Sequence, residues 1–157
     1  MIPRKGAEVA DISEKSLRDV LEVRKALEEL AVKLTCDKIK SAQIRELRQA
    51  AEEFRRTLKS NDITQIAEAD VRFHDVLYEA TDNQKLVQLL NNLREQMYRY
   101  RIEYLKRQEA YPQLLTEHEE IIRRIENREK DEAVEIVCKH IDNQVEAVMD
   151  VIRTKKG

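Results

Sequence analysis

Apolar residues recur along most of this chain at intervals of three and four, which is the spacing of an amphipathic α-helix. The first such pattern begins after Ser13, a suitable N-cap residue, and continues to about Ile39. Arg24 and Glu28 fall within the apolar arc, so this helix is predicted to bury two charges. The apolar positions of the arc are Leu17, Val20, Leu21, Leu27, Ala31 and Leu34.

The same spacing predicts five further helices separated by short polar segments. Ser41 is placed to cap the second helix, while Asn61 and Asp62 end it and cap the third, which continues to about Ala80. A long fourth helix is predicted over about 84–108.

Pro112 fits the first turn of a fifth helix, where its missing N–H costs nothing, and a sixth helix follows over about 131–153. Glycine and proline are absent between positions 7 and 111, which disfavours hairpins and strands. We therefore expect an all-α fold, a single antiparallel bundle of about six to seven helices formed by residues 13–154.

Composition narrows the class of protein further. The 157 residues carry 29 basic and 31 acidic side chains, a formal net charge of −2, so no basic surface for nucleic acid is expected. No apolar run is long enough to cross a membrane, and the N-terminus has no signal-peptide pattern. Cys36 and Cys138 lack metal or redox spacing, which favours reduced thiols over a disulfide and a cytoplasmic location.

The three histidines each occupy the middle of an apolar helical face. Asp70 and His74 lie on the third helix, His118 on the fifth and His140 on the sixth. Any one of these histidines could be a core imidazole bonded to a carbonyl or carboxylate. Together with a buried Asp, which needs a partner, they predict a shared metal site. Three imidazoles and one carboxylate suit Zn, Ni, Co, Fe or Mn better than Ca or Mg.

Cationic and amide side chains accompany these residues on the predicted inner faces. Arg24, Glu28, Arg101, Asn143 and Gln144 could bind a small carboxylate whose oxygens also reach the metal, because Arg holds a carboxylate with two parallel donors. The alternative for Arg24 and Glu28 is a simple ion pair between residues four apart.

Three segments resemble the FCD effector-binding domain found in the FadR branch of the GntR family of bacterial transcription regulators. VRKALEELAV is similar to the family pattern V-R-x-x-L-E-x-x-A, and ADVRFHDVLYEATDNQKL to D-x-x-F-H-x-x-L-x-x-A-x-x-N-x-x-L. EHEEIIRRIENREKDEAVEIVCKHI matches the segment that carries the last two histidines. The resemblance covers about residues 16–148.

The resemblance implies that Asp70, His74, His118 and His140 bind one divalent transition metal per chain, zinc first, with Ni, Mn, Fe or Co as alternatives. It implies a homodimer that senses a small carboxylate or sugar-acid effector and is not an enzyme. Residues 1–12 would be the remnant of a linker after a winged helix-turn-helix domain absent from this chain. Operator DNA would then be bound only through that domain.

Two other functions remain open at this point. A helical-bundle metalloenzyme could use the same Asp and His site, because a metal-bound water is a competent nucleophile. No HExxH motif is present, and Asp75 and Glu117 are expected off the apolar faces, so no carboxylate is placed as a general base. A helical oligomerisation module with a structural metal is the other alternative.

Overall fold

Seven α-helices and one short 3-10 helix form the part of the chain that the computed structural model describes, residues 13–156. The prediction of an all-α helical bundle is therefore confirmed, while the predicted linker at 1–12 lies outside the described residues. The α-helices are α1 (Glu14–Lys38), α2 (Ser41–Thr57), α3 (Ile63–Glu79), α4 (Gln84–Asn92), α5 (Arg94–Leu105), α6 (Tyr111–Glu126) and α7 (Lys130–Lys156), with the 3-10 turn Gln108–Ala110 before α6.

Polar side chains cap several helices where the sequence predicted. The Ser13 hydroxyl accepts a hydrogen bond from the Ser16 N–H at 3.1 Å, and the Asp62 carboxylate accepts one from the Thr64 N–H at 3.0 Å. Asn83 caps α4 in the same way. These bonds satisfy backbone donors that have no partner within the helix, and so they fix where α1, α3 and α4 begin.

Two helix boundaries differ from the prediction. Ser41 is the first residue of α2 and Lys40 takes the N-cap position. The predicted helix over 84–108 is interrupted at Leu93, between α4 and α5, where φ is −97° and ψ is −1° instead of the values of a regular α-helix. The Leu93 N–H bonds to the carbonyl of Leu90, three residues back, which tightens the last turn of α4.

Asp70 and His118 lie between two apolar clusters. On α6, Leu114 belongs to one cluster and Ile121 to the other, with His118 between them. On α3, Asp70 comes three residues after Ala67, which belongs to the same cluster as Leu114. In the bundle α1 packs against α7, α2 against α3, and both α3 and α7 against α5, which encloses this polar layer.

The structure also bears on membrane insertion and on the thiols. Over residues 13–156, no helix combines the length and the apolar character needed to cross a membrane. Cys36 is buried and Cys138 half-buried, and both are free thiols.

Candidate metal centre

Helices α3 and α6 bring three of the predicted metal ligands together. Asp70 and His74 from α3 and His118 from α6 are buried, and one ligand atom of each lies within 4.8 Å of the other two. The Oδ1 atom of Asp70 is 3.1 Å from Nε2 of His118 and 3.6 Å from Nε2 of His74. One carboxylate oxygen and two imidazole nitrogens thus converge in the interior.

The fourth predicted ligand, His140 on α7, lies just beyond this group. Its ring stacks on that of His74 at a centroid distance of 5.7 Å and is 6.3 Å from that of His118. His140 is not among the donors that lie close together, so its role as a ligand stays a prediction.

Glu117 orients the ring of His140. The Glu117 carboxylate lies 2.7 Å from Nδ1 of His140 and can only accept, so Nδ1 carries a hydrogen. Burial by itself raises the pKa of Glu117, but the hydrogen bond and charge of His140 bring it below the usual value. A carboxylate that holds an imidazole in this way is typical of the support around a metal ligand.

Glu117 is buried, so the prediction that it lies off the apolar face of its helix was wrong. It is 7% exposed and also accepts a hydrogen bond from Asn143 at 3.1 Å. Glu117 comes three residues after Leu114 and four before Ile121, so the helical spacing carried the signal.

The ionic state of Asp70 and His74 suits metal binding. Nε of Arg101 donates to Oδ2 of Asp70 at 2.6 Å, and both side chains are buried. Burial by itself raises the pKa of Asp70, but His74, Arg101 and the hydrogen bond to His118 hold it well below its usual value. Burial lowers the pKa of His74 despite the nearby Asp70 carboxylate. An ionised carboxylate and a neutral imidazole are the forms that bind metals.

A second polar group connects α1 with α3 and α7. Nε of Arg24 donates to Oε2 of Glu28 at 3.2 Å, and the Tyr78 hydroxyl donates to the same oxygen at 2.7 Å. Nη1 of Arg24 donates to Oε1 of Gln144 at 2.7 Å. The ion pair between Arg24 and Glu28, which was one alternative, does form, but as part of a larger buried network.

The five predicted effector-binding residues differ in burial and in the residues that they contact. Arg24, Glu28, Arg101 and Gln144 are buried, whereas Asn143 is half-buried and bonded to Glu117. Arg101 contacts Asp70 and Gln144 contacts His140, while Arg24 contacts Glu28 and Gln144. Tyr78 is a further member of the network that the sequence did not single out, since tyrosines on apolar faces are usually packing residues.

A small cavity lies beside the candidate ligands, between α1, α3, α6 and α7. Its polar wall is formed by Glu28, His74, Tyr78 and His140. Its volume is about 10 Å³, which is about the space of one water molecule. The site is therefore nearly closed in this structure.

The residues present fit a divalent transition metal. Nε2 of His74 and Nδ1 of His118 are buried without a hydrogen-bond partner, and Nε2 of His74 faces the Asp70 carboxylate. A cation next to Oδ1 of Asp70 would give this nitrogen a partner. Imidazole and carboxylate donors without a thiolate are compatible with Zn, Ni, Co, Fe or Mn.

Two curated proteins of Bacillus subtilis (strain 168) are similar to this chain along almost its whole length. The uncharacterized HTH-type transcriptional regulator YdhC is 23% identical over 154 residues, covering 98% of this chain and 69% of that protein. The gluconate operon transcriptional repressor is 23% identical over 159 residues, covering 96% and 64%. The chain thus spans roughly two thirds of the length of these relatives.

Solved structures show the same fold. E. coli McbR/YncC superposes with a TM-score of 0.81 at 14% identity, over 89% of this chain and 71% of that one. The metal-free FCD domain of TM0439, a putative transcriptional regulator, gives 0.74 at 22% identity, over 91% and 98%. A GntR family member from Pseudomonas syringae pv. tomato str. DC3000 gives 0.73 at 20% identity, over 92% and 60%.

The sequence model that describes the FCD domain matches residues 19–143, which is most of the chain and includes all four candidate ligands. The relatives of known class are transcriptional regulators, and the neighbouring structures include an FCD domain and a GntR family member. The chain therefore belongs to the FCD domain family.

Proposed function

We propose that this chain is the effector-sensing domain of a GntR-family transcription regulator and that it senses a small carboxylate through a bound divalent metal. Asp70, His74 and His118 hold the metal, with His140 as the fourth ligand. The observation that carries the proposal is the convergence of three buried donors, one of which, Nε2 of His74, has no hydrogen-bond partner. Zinc is the first candidate metal because it accepts this donor set in four-coordinate and expanded geometries.

The residues around the ligands have separate roles in this proposal. Arg101 fixes the Asp70 carboxylate, and Glu117 orients His140, whose Nε2 lies 3.4 Å from the amide nitrogen of Gln144. The metal, when bound, supplies a Lewis-acidic position that a carboxylate oxygen can occupy. Nη2 of Arg24 is buried without a partner and provides a donor for the same carboxylate.

The proposed regulation depends on the way the network crosses the bundle. Arg24, Glu28, Tyr78 and Gln144 connect α1, α3 and α7, so a ligand that engages Arg24 changes contacts between three helices. An effector shifts a conformational equilibrium only by its differential affinity for the two states, about 1–3 kcal/mol in typical couplings. We propose that this coupling acts on DNA-binding domains placed before residues 1–12 in a homodimer.

The relatives support regulation over catalysis. Both curated relatives carry names of transcriptional regulators, and one regulates a gluconate operon. Glu117, the buried carboxylate closest to a general-base role, is engaged by His140 and Asn143. We therefore propose that the site binds and does not turn over its ligand.

A melting experiment tests the proposal. The chain is stripped with a chelator, and its melting temperature is measured alone, with Zn²⁺, with propionate, and with both. Zn²⁺ is expected to raise the melting temperature, and propionate to raise it further only when Zn²⁺ is present, because a ligand stabilises the state that it binds. An equal effect of propionate with and without metal would contradict the metal-dependent site. The His74→Ala variant is the matched control and should lose both increments.

A further inference from the structure

An outer cavity between α2 and α6 extends inward to His118. Its volume is about 210 Å³, and His118, which is only 1% exposed, forms part of its wall. Two arginines and two glutamates, Arg48, Arg55, Glu52 and Glu119, also line it. The cavity shares no lining residue with the small one between α1, α3, α6 and α7. It is therefore a separate space that reaches a candidate metal ligand from the surface.

One nitrogen of the His118 ring is left without a partner by the protein. Nδ1 of His118 is buried and has no hydrogen-bond partner among residues 13–156. Nε2 of the same ring lies 3.1 Å from Oδ1 of Asp70, and the ring is held by stacking on Phe73 at 4.1 Å. The two nitrogens of an imidazole point in diverging directions, so Nδ1 is directed away from Asp70. Because a buried polar atom without a partner is costly, we expect the outer cavity to supply one.

A metal on Nε2 would make Nδ1 of His118 a hydrogen-bond donor. When one nitrogen of a neutral imidazole binds a metal, the hydrogen is on the other nitrogen. Metal-bound histidines almost always donate this hydrogen to an acceptor, which orients the ring. Glu117 is placed to be that acceptor for His140, whereas residues 13–156 offer none to His118. The partner that fits Nδ1 is therefore an acceptor that enters the outer cavity.

The two arginines of the cavity wall can donate to the same acceptor. Arg48 and Arg55 are half-exposed and form ion pairs with Glu126 and Glu52. A guanidinium has five N–H donors, and these pairs use one of Arg48 and two of Arg55. Exposed ion pairs are weak, so both side chains can turn donors towards a bound anion. Because Glu52 and Glu119 balance their charge, hydrogen bonds and not a net positive field would hold that anion.

We propose that the cavity between α2 and α6 binds a tetrahedral oxyanion, a phosphate or sulfate group, which accepts hydrogen bonds from Nδ1 of His118, Arg48 and Arg55. A tetrahedral oxyanion has acceptor oxygens in several directions, which suits donors that come from two helices. Because the oxyanion orients a metal ligand, oxyanion and metal each increase the affinity of the other. This inference rests on the proposed function and adds a second site that regulates it.

The Zn²⁺ affinity of the chelator-stripped chain in two salts tests this inference. It is measured by competition with a chromophoric chelator in sodium sulfate and in sodium chloride of equal ionic strength, with protein-free titrations to correct for Zn²⁺ complexes with sulfate. Sulfate is expected to tighten Zn²⁺ binding about tenfold, as partners that orient metal-bound imidazoles do. Equal affinities would mean that water satisfies Nδ1, which overturns the inference but leaves the metal centre in place. No Zn²⁺ binding in either salt would overturn both.

Substitutions on α2 make the test specific to the outer cavity. Arg48→Gln and Arg55→Gln each remove one proposed donor at a half-exposed position, so both variants are expected to fold and to lose most of the sulfate effect. Arg56→Gln is the matched control, because Arg56 also pairs with Glu52 but does not line the cavity, and it should keep the full effect. A sulfate effect that survives in both Arg48→Gln and Arg55→Gln would place the oxyanion elsewhere and overturn the inference.

Discussion

Two ion pairs between an arginine of α5 and an aspartate of α3 have almost the same length. Arg101 meets Asp70 at 2.6 Å, and Arg94 meets Asp75 at 2.7 Å. The side chains of the first pair are 5% and 3% exposed, and those of the second are 45% and 39% exposed. The two pairs differ in burial but hardly in distance. Comparing them therefore separates the effect of burial on the energy of an ion pair from the effect of the contact itself.

Because it is buried, the pair of Arg101 and Asp70 can support a metal ligand, which the exposed pair of Arg94 and Asp75 cannot do. Water and salt screen the charges of Arg94 and Asp75, so that pair is replaceable. Asp70 is 2% exposed, so solvent does not replace its partner, and its ionised form depends on the neighbouring histidines and Arg101. Asp70 is therefore available as a metal ligand, while Asp75 lies on the surface, as expected from the sequence.

The largest effect is expected from Arg101→Met in the metal-free chain. The substitution leaves the Asp70 carboxylate buried without its cation and should lower the free energy of unfolding by about 3–5 kcal/mol. Urea unfolding followed by circular dichroism measures the change. A loss as small as that of an exposed pair would mean that water reaches Asp70, which contradicts its buried position.

His118→Ala is expected to remove the stabilisation by metal. For the unaltered chain, Zn²⁺ at one hundred times its dissociation constant should add about 2.7 kcal/mol to the free energy of unfolding. The variant should be less stable even without metal, because the His118 ring packs between Phe54 and Phe73. The test is the increase in the free energy of unfolding on adding Zn²⁺. An increase equal to that of the unaltered chain would exclude His118 as a ligand.

Tyr78→Phe should have a moderate effect on stability. It removes the hydrogen bond to Glu28, which keeps its bond to Arg24, so a loss of about 1.5 kcal/mol is expected. Thermal unfolding in the absence of metal measures it. No change would indicate that water replaces the hydroxyl in the small cavity.

Arg94→Met should have the smallest effect and is the matched control for Arg101→Met. Its partner Asp75 is exposed, so a loss of no more than about 1 kcal/mol is expected. The same urea unfolding experiment serves both variants. Equal losses for the two would show that contact, and not burial, determines the energy of these pairs.

The helical pattern was sufficient to predict the bundle and the inward position of the four candidate ligands. Each of Asp70, His74, His118 and His140 is buried, as the apolar faces of their helices implied. The break at Leu93 was missed because no glycine or proline marks it. The break results from the backbone conformation of a single leucine, which cannot be predicted from the spacing of apolar residues.

Other details of the site could not be predicted from the sequence, because they depend on how the helices pack. Glu117 was expected off the apolar face of its helix, but its spacing from Leu114 and Ile121 places it inward, and it is buried. The closeness of Asp70, His74 and His118, with His140 one ring further away, depends on how α3, α6 and α7 pack. Periodicity within one helix specifies a face but not the distance between faces.

Calorimetric titration of the chelator-stripped chain with Zn²⁺ measures directly whether Asp70, His74 and His118 bind a metal. We expect saturation at one Zn²⁺ per chain and loss of this binding in His74→Ala, with binding unchanged in the Arg94→Met control. Absence of binding to the unaltered chain, or equal binding to His74→Ala, would contradict a metal centre at Asp70, His74 and His118.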